Sequence, residues 1–171
     1  MHHRPHLSRS APGGLPFAPA VLPAAPGVVA AALGMLLAAA LAGCSSGGSV
    51  SAAPDGGGAP CASLLGRLPA TVADQNRGTS STPGTARWGR PAIEFRCGVR
   101  PPGPTTIPCV TVNGVDWLFE QRGDDLRLTT FGRRPAVEVT VPAAYGRDLA
   151  SAALVDLAPA ITSLPADRHC S

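Results

Sequence analysis

The sequence contains no lysine: all 14 basic residues among its 171 are arginine. Aromatic side chains are scarce as well, with two Trp, one Tyr and four Phe. Large rings carry much of the buried area in a core, and here 29 of the hydrophobic residues are merely alanine. A large all-helical core and a multi-pass membrane bundle are therefore excluded. Gly and Pro contribute 20 and 19 residues, which interrupts any sustained heptad pattern and excludes a coiled coil. An excess of one charge is also missing. Arg4 and Arg9 lie near the N-terminus, and the chain after residue 43 carries 12 Arg against 11 acids, a net charge of +1. Its longest basic run is Arg133-Arg134. A nucleic-acid binder needs a basic stripe to neutralise phosphates, so no nucleic-acid partner is expected.

Catalytic and metal signatures are missing too. After residue 43 there is no Gly-rich phosphate loop, no G-x-S-x-G elbow and no H-E-x-x-H. No cysteine pair has C-x₂₋₄-C spacing, and His169 is the single histidine of that region. Zinc, or any other metal or cofactor, is not expected.

What is present begins with a leader. Residues 1–43 read as a lipoprotein signal peptide, with Arg4, Arg9 and no acid at the start. Val28–Ala42 follows as 15 residues without a charge, short of the ~20 that a permanent membrane-spanning helix needs. The Pro-rich stretch before Val28 makes this leader longer than usual, and no adjacent Arg pair marks a twin-arginine signal. Leu41-Ala42-Gly43-Cys44 at the end of the apolar run resembles the bacterial lipobox. That resemblance implies cleavage before Cys44 and diacylglycerol on its thiol. An uncleaved anchor would be followed by basic residues, whereas Ser45-Ser46-Gly47-Gly48 follows here. An ordinary secretory signal would not explain a cysteine at this place. Two acyl chains hold far more firmly than one, so the chain is expected on the extracytoplasmic face of the membrane. Residues 44–60, rich in Gly, Ser and Ala, read as a flexible tether.

Residues 61–171 have room for a single domain. It contains Cys61, Cys97, Cys109 and Cys170, an even number in an exported chain, which reads as two disulfides. Four cysteines allow three pairings. Cys97 and Cys109 flank a turn-rich stretch that adjacent strands would bring together, leaving Cys61 with Cys170 as a clamp between the two ends.

The middle of the domain alternates with the period of a strand. Ile93, Phe95 and Cys97 share one face; residues 107–112 and 115–121 flank Asn113-Gly114, a strong hairpin signal. Residues 126–131 and the Val137, Val139, Val141 alternation complete about five mostly antiparallel strands, with Arg122-Gly123-Asp124-Asp125 as a turn. The first three of these spell an adhesion tripeptide, but turn geometry accounts for them. Residues 61–68 predict a short N-terminal helix stopped by Pro69. Leu149, Ala153, Leu154, Leu157 and Ile161 predict a longer C-terminal helix, with Asp148 near its start and Pro159 ending or kinking it. Residues 70–91 read as a loop. The fold class expected is a disulfide-stapled α+β sandwich.

Four blocks carry a resemblance over most of residues 61–170: Trp88-Gly89-Arg90-Pro91, Arg96-Cys97-Gly98-Val99, Val112 to Trp117 (VNGVDW) and Arg134 to Val139 (RPAVEV). Together they resemble a family of uncharacterised secreted lipoproteins, a domain of unknown function, from high-G+C Gram-positive bacteria. The resemblance implies an envelope lipoprotein of this architecture and no particular activity. Arg90 departs from the pattern, which has an acid between that Gly and Pro.

Two readings of function remain. In the first, the chain is a non-catalytic, lipid-anchored module binding an envelope protein or polymer. Trp88, just after the loop, is then the aromatic residue to present, with Arg87 and Arg90 beside it; Trp117 belongs to the core. In the second, it is a small cell-wall hydrolase with paired carboxylates drawn from Glu94, Asp116, Glu120 and Glu138. Those acids alternate with apolar residues, as on a solvated strand face. A Ser-His-Asp triad would have to use His169, close to the end of the sequence, a poor place to hold a base.

Overall fold

A computed structural model describes residues 49–171. The expected signal peptide, Cys44 and the first residues of the tether lie outside that range. The chain forms α1 (Ala59–Leu65), a small hairpin of β1 (Thr71–Val72) and β2 (Gln75–Asn76), then β3 (Thr85–Trp88) and β4 (Ile93–Val99). There follow β5 (Cys109–Val112), β6 (Val115–Arg122), β7 (Asp125–Thr130), β8 (Ala136–Val141), a 3₁₀ turn (Ala143–Tyr145) and α2 (Gly146–Ile161). The main sheet is antiparallel, in the order β3-β4-β8-β7-β6-β5. It has six strands rather than five, and the α+β class holds.

The additional strand comes from the stretch expected to be a loop. Thr85–Trp88 pairs with β4, placing Trp88 opposite Ile93. Four residues are too few for a periodic signal, and the polar run of 78–82 hides the strand.

Alternation divides the sheet into two chemically different faces. One carries Ile93, Phe95, Cys97, Val115, Trp117, Leu128, Val137, Val139 and Val141, all buried in a single cluster with the helices. Helix α2 contributes Ala150, Ala153, Leu154, Leu157, Ala158 and Ile161 from one side. Pro159 does not end α2, which continues to Ile161; it is exposed in the last turn and cannot donate to the Val155 carbonyl. Asp148 lies in the first turn, where a carboxylate favours the helix dipole.

The other face carries cross-strand rows of mostly polar residues, turning apolar at Leu118 and Cys109 toward the far edge. One row is Arg87, Glu94, Thr140, Arg127 and Glu120; the next is Thr85, Arg96, Glu138, Thr129, Leu118 and Cys109. At Gly98 a bulge flips the alternation. Val99 therefore joins Ala136 on this face, and Ala53 packs over both. The Asp55 amide bonds the Gly98 carbonyl at 3.0 Å. A side chain at Gly98 would overlap the Asp55 backbone. Within the stretch read as a tether, Val50, Ala53 and Gly56 are therefore buried, while most of the other residues to position 60 are exposed.

The disulfide pairing is corrected as well. Cys61 bonds Cys97, and Cys109 bonds Cys170. Cys97 lies on the helix-covered face beside α1. Cys109 lies on the opposite face, on an edge strand separated from β4 by three others. At about 4.8 Å per strand that is ~19 Å, far beyond disulfide reach.

A candidate ligand groove beside Asp116 and His169

Residues 100–108 carry the chain from β4 to the far edge strand β5, passing over the polar face. The tail after α2 reaches the same place. Arg133 bridges to Ala166, and the Asp167 amide bonds the Gly132 carbonyl at 2.8 Å. The tail crosses directly over Gly132 (φ +73), where a Cβ would collide with the Arg168 backbone. Cys170 then closes on Cys109.

Between crossover and tail lies a groove of about 430 Å³, within the range of small-molecule sites. Ile107, Leu118, Phe131 and the Cys109–Cys170 disulfide supply its apolar walls, Thr105 and Thr106 its polar rim. Arg168 and His169 are its only ionisable side chains among the described residues. The Arg168 guanidinium stacks on Phe131, 5.4 Å from the ring centre, and bonds the Pro102 carbonyl at 3.2 Å.

Asp116 anchors this end of the molecule. It is 4% exposed and accepts hydrogen bonds from the Thr111 hydroxyl, from His169 Nδ1 at 2.9 Å and from the Cys170 amide at 3.3 Å. Burial alone would raise its pKa, but the bonds from Thr111, His169 and Cys170 outweigh it and hold the carboxyl below its ordinary value. An ionised carboxylate only accepts, so the Nδ1 of His169 carries the proton. The side chain of His169 is otherwise 71% exposed. Nearby, Arg133 bonds the Leu164 and Gly114 carbonyls. Burial lowers its pKa, and the Asp116 charge partly restores it.

The local fold explains this assembly. Asn113 and Gly114 take φ of +46 and +76, the left-handed pair of a two-residue hairpin turn. That turn sets Asp116 opposite Thr111. Sequence reasoning set His169 aside for its terminal position. The signal depends on the cysteine pairing: once Cys170 bonds Cys109, the adjacent His169 must lie near Cys109, only seven positions before Asp116, but the sequence left that pairing open.

The other site expectations fare differently. Trp88 is fully buried and is not presented. It shares the face of Ile93, packs edge-on against Phe95 at 6.3 Å, and donates its indole N–H to the Pro69 carbonyl. Arg87, one residue earlier, points to the opposite face, while Arg90 is exposed in the following turn. Alternation thus disperses the expected patch. The four acids do not converge either. Glu138 sits between Arg96 at 2.9 Å and Arg127 at 3.5 Å, and Glu120 pairs with Arg122 at 3.1 Å. Glu94 lies diagonal to Glu138 on the neighbouring strand, with Arg96 paired to Glu138, and three strands away from Glu120. None of the four lines the groove. Among the described residues, no group of three or more His, Cys, Asp or Glu is placed to hold a metal.

Fold and groove together define a class: a small, doubly stapled α+β domain with one sheet face covered by helices and a ligand-sized groove on the other. The chain belongs to the family described as "Protein of unknown function (DUF3515)", whose model matches residues 22–169. No curated protein and no solved structure matches it significantly.

Proposed function

We propose that this is a lipid-anchored binding module of the bacterial cell envelope, held through diacylglycerol on Cys44 and receiving an envelope partner or polymer in the groove between residues 104–107 and 168–171. The observation that carries the reading is the groove itself, walled by apolar side chains and a disulfide and bearing two nitrogen bases. The anchor part rests on the lipobox-like Leu41-Ala42-Gly43-Cys44. Burial of Val50 makes the arrangement tight. Six residue steps from Cys44 extend at most about 21 Å, so the domain works close to the bilayer. A hydrolase built on paired carboxylates has less support, because three of the acids face arginines or stand apart and Asp116 is engaged by its own neighbours.

The test uses intact cells. A small aliphatic diazirine residue in place of Thr106, of about the size of leucine, should give a reproducible adduct, and Cys44→Ala should abolish both detergent-phase partitioning and that adduct. Partitioning unchanged in Cys44→Ala would remove the anchor. A wild-type chain that gives no reproducible adduct would remove the binding module.

A further inference from the structure

We infer that the groove beside Arg168 is a site for a small organic oxyanion, a carboxylate or phosphate monoester carried on an apolar body. This rests on the binding-module reading above and names the chemistry of its ligand.

The first argument is charge. The groove is lined by no acidic side chain among the described residues, while Arg168, His169 and Ser171 border it. Acids close by are already engaged. Asp116 is filled by the Thr111 hydroxyl, His169 and the Cys170 amide. Asp167 is held by Arg134 at 3.0 Å and lies 3.7 Å from the Arg168 Nε. An arriving anion therefore meets the Arg168 guanidinium with no acidic side chain in the groove beside it.

The second argument is preorganisation. A guanidinium has five N–H donors in a fixed fork, suited to two oxygens of one oxyanion. Here the fork is stacked on Phe131 and bonded to the Pro102 carbonyl, which uses one donor. Such a side chain loses little freedom on binding. His169 is similarly steadied by Asp116 at Nδ1, so its Nε2 edge is the one left for a ligand.

The third argument is the rest of the wall. Ile107, Leu118, Phe131 and the Cys109–Cys170 sulfurs offer nothing to a free inorganic ion but do suit a ring or short aliphatic chain. The combination selects an anion with an apolar body over either part alone.

The experiment is calorimetric titration of the mature, acylated chain in nanodiscs of neutral lipid. The probes are phenyl phosphate, benzoate, inorganic phosphate and benzyl alcohol. Expected is saturable binding of phenyl phosphate or benzoate, at least tenfold tighter than inorganic phosphate and benzyl alcohol. Whichever of the two binds more tightly identifies the head group. Arg168→Gln should weaken binding about tenfold, whereas Arg122→Gln, which pairs with Glu120 outside the groove, should change it less than twofold. Thr106→Trp is a second variant that blocks the groove without removing any hydrogen bond described above; it should weaken binding similarly. Equal affinity for inorganic phosphate, insensitivity to both groove variants, or no binding of either organic anion would overturn the inference. If the anions fail to bind while the Thr106 crosslink persists in cells, the oxyanion assignment falls and the binding-module reading stands. Loss of both removes both.

Discussion

The two disulfides fasten two very different regions. Cys61–Cys97 is completely buried, joining α1 to the helix-covered face of β4. Cys109–Cys170 is half-exposed, joining an edge strand to the tail across the polar face and forming part of the groove wall. Chain entropy ranks them one way. Loops of 36 and 61 residues correspond to about 3.8 and 4.3 kcal/mol respectively. Packing ranks them the other way, because only the first has its sulfurs among core side chains. The first staple belongs to the fold, the second to the groove. Loop length alone would mislead about which matters more to stability.

The sharpest way to break this comparison is to remove each staple in turn. Cys61→Ala with Cys97→Ala should cost about 5 kcal/mol, since a core void adds to the lost cross-link. Cys109→Ala with Cys170→Ala should cost less, about 4 kcal/mol, because no core void is added to the lost cross-link. Urea unfolding of the two double variants gives the order, and the reverse order would mean that entropy dominates.

Reduction under native conditions probes the same contrast kinetically. The half-exposed pair should react with dithiothreitol about a hundredfold faster, because the buried pair needs a local opening of roughly 2.8 kcal/mol first. Alkylation with two mass-distinguishable reagents would show which cysteines are freed early. Simultaneous release would mean that the tail is as tightly closed as the core.

Asp116 is the non-covalent counterpart of the second staple. Asp116→Asn should destabilise the domain by about 2 kcal/mol, the scale of lost charge-assisted hydrogen bonds at a buried group. Its pKa in the folded chain lies below the ordinary 3.8. The stabilisation from its charge is therefore present above about pH 3.8 and disappears as pH falls through the lower folded value. In Asp116→Asn this acid-side decline should flatten, as measured by thermal melts between pH 2 and 6. His169→Ala should have the smallest effect, about 0.5 kcal/mol, because so exposed a side chain contributes little to an ion pair. A change as large as that of Asp116→Asn would mean that the imidazole, not the Cys170 amide, holds the tail.

Much of the sheet was legible residue by residue. Val137, Val139 and Val141 fall on the core face as their alternation requires, and the Asn113-Gly114 turn forms where the hairpin signal put it. Trp117 is buried for the same reason. Helix α2 follows the spacing of Leu154, Leu157 and Ile161. The site was much less legible. Trp88 looked presentable because it follows a polar stretch, yet the short strand it belongs to turns it inward. Asp116 was named as one acid among four, and nothing in its neighbourhood in sequence announced that Thr111, His169 and Cys170 would meet on it.

Local pattern determined which face of a strand each side chain takes, because successive Cβ atoms point to opposite sides whatever the strand's neighbours. It also determined the hairpin turn, since positive φ favours particular residues there. Which strands become neighbours was decided only by the tertiary structure, where the crossover of residues 100–108 sends β5 to the far edge and lets β8 pair with β4. Cysteine pairing, the meeting of His169 with Asp116 and the groove between crossover and tail all depend on that order. They join residues 36 to 66 positions apart, a separation across which side-chain periodicity carries no information.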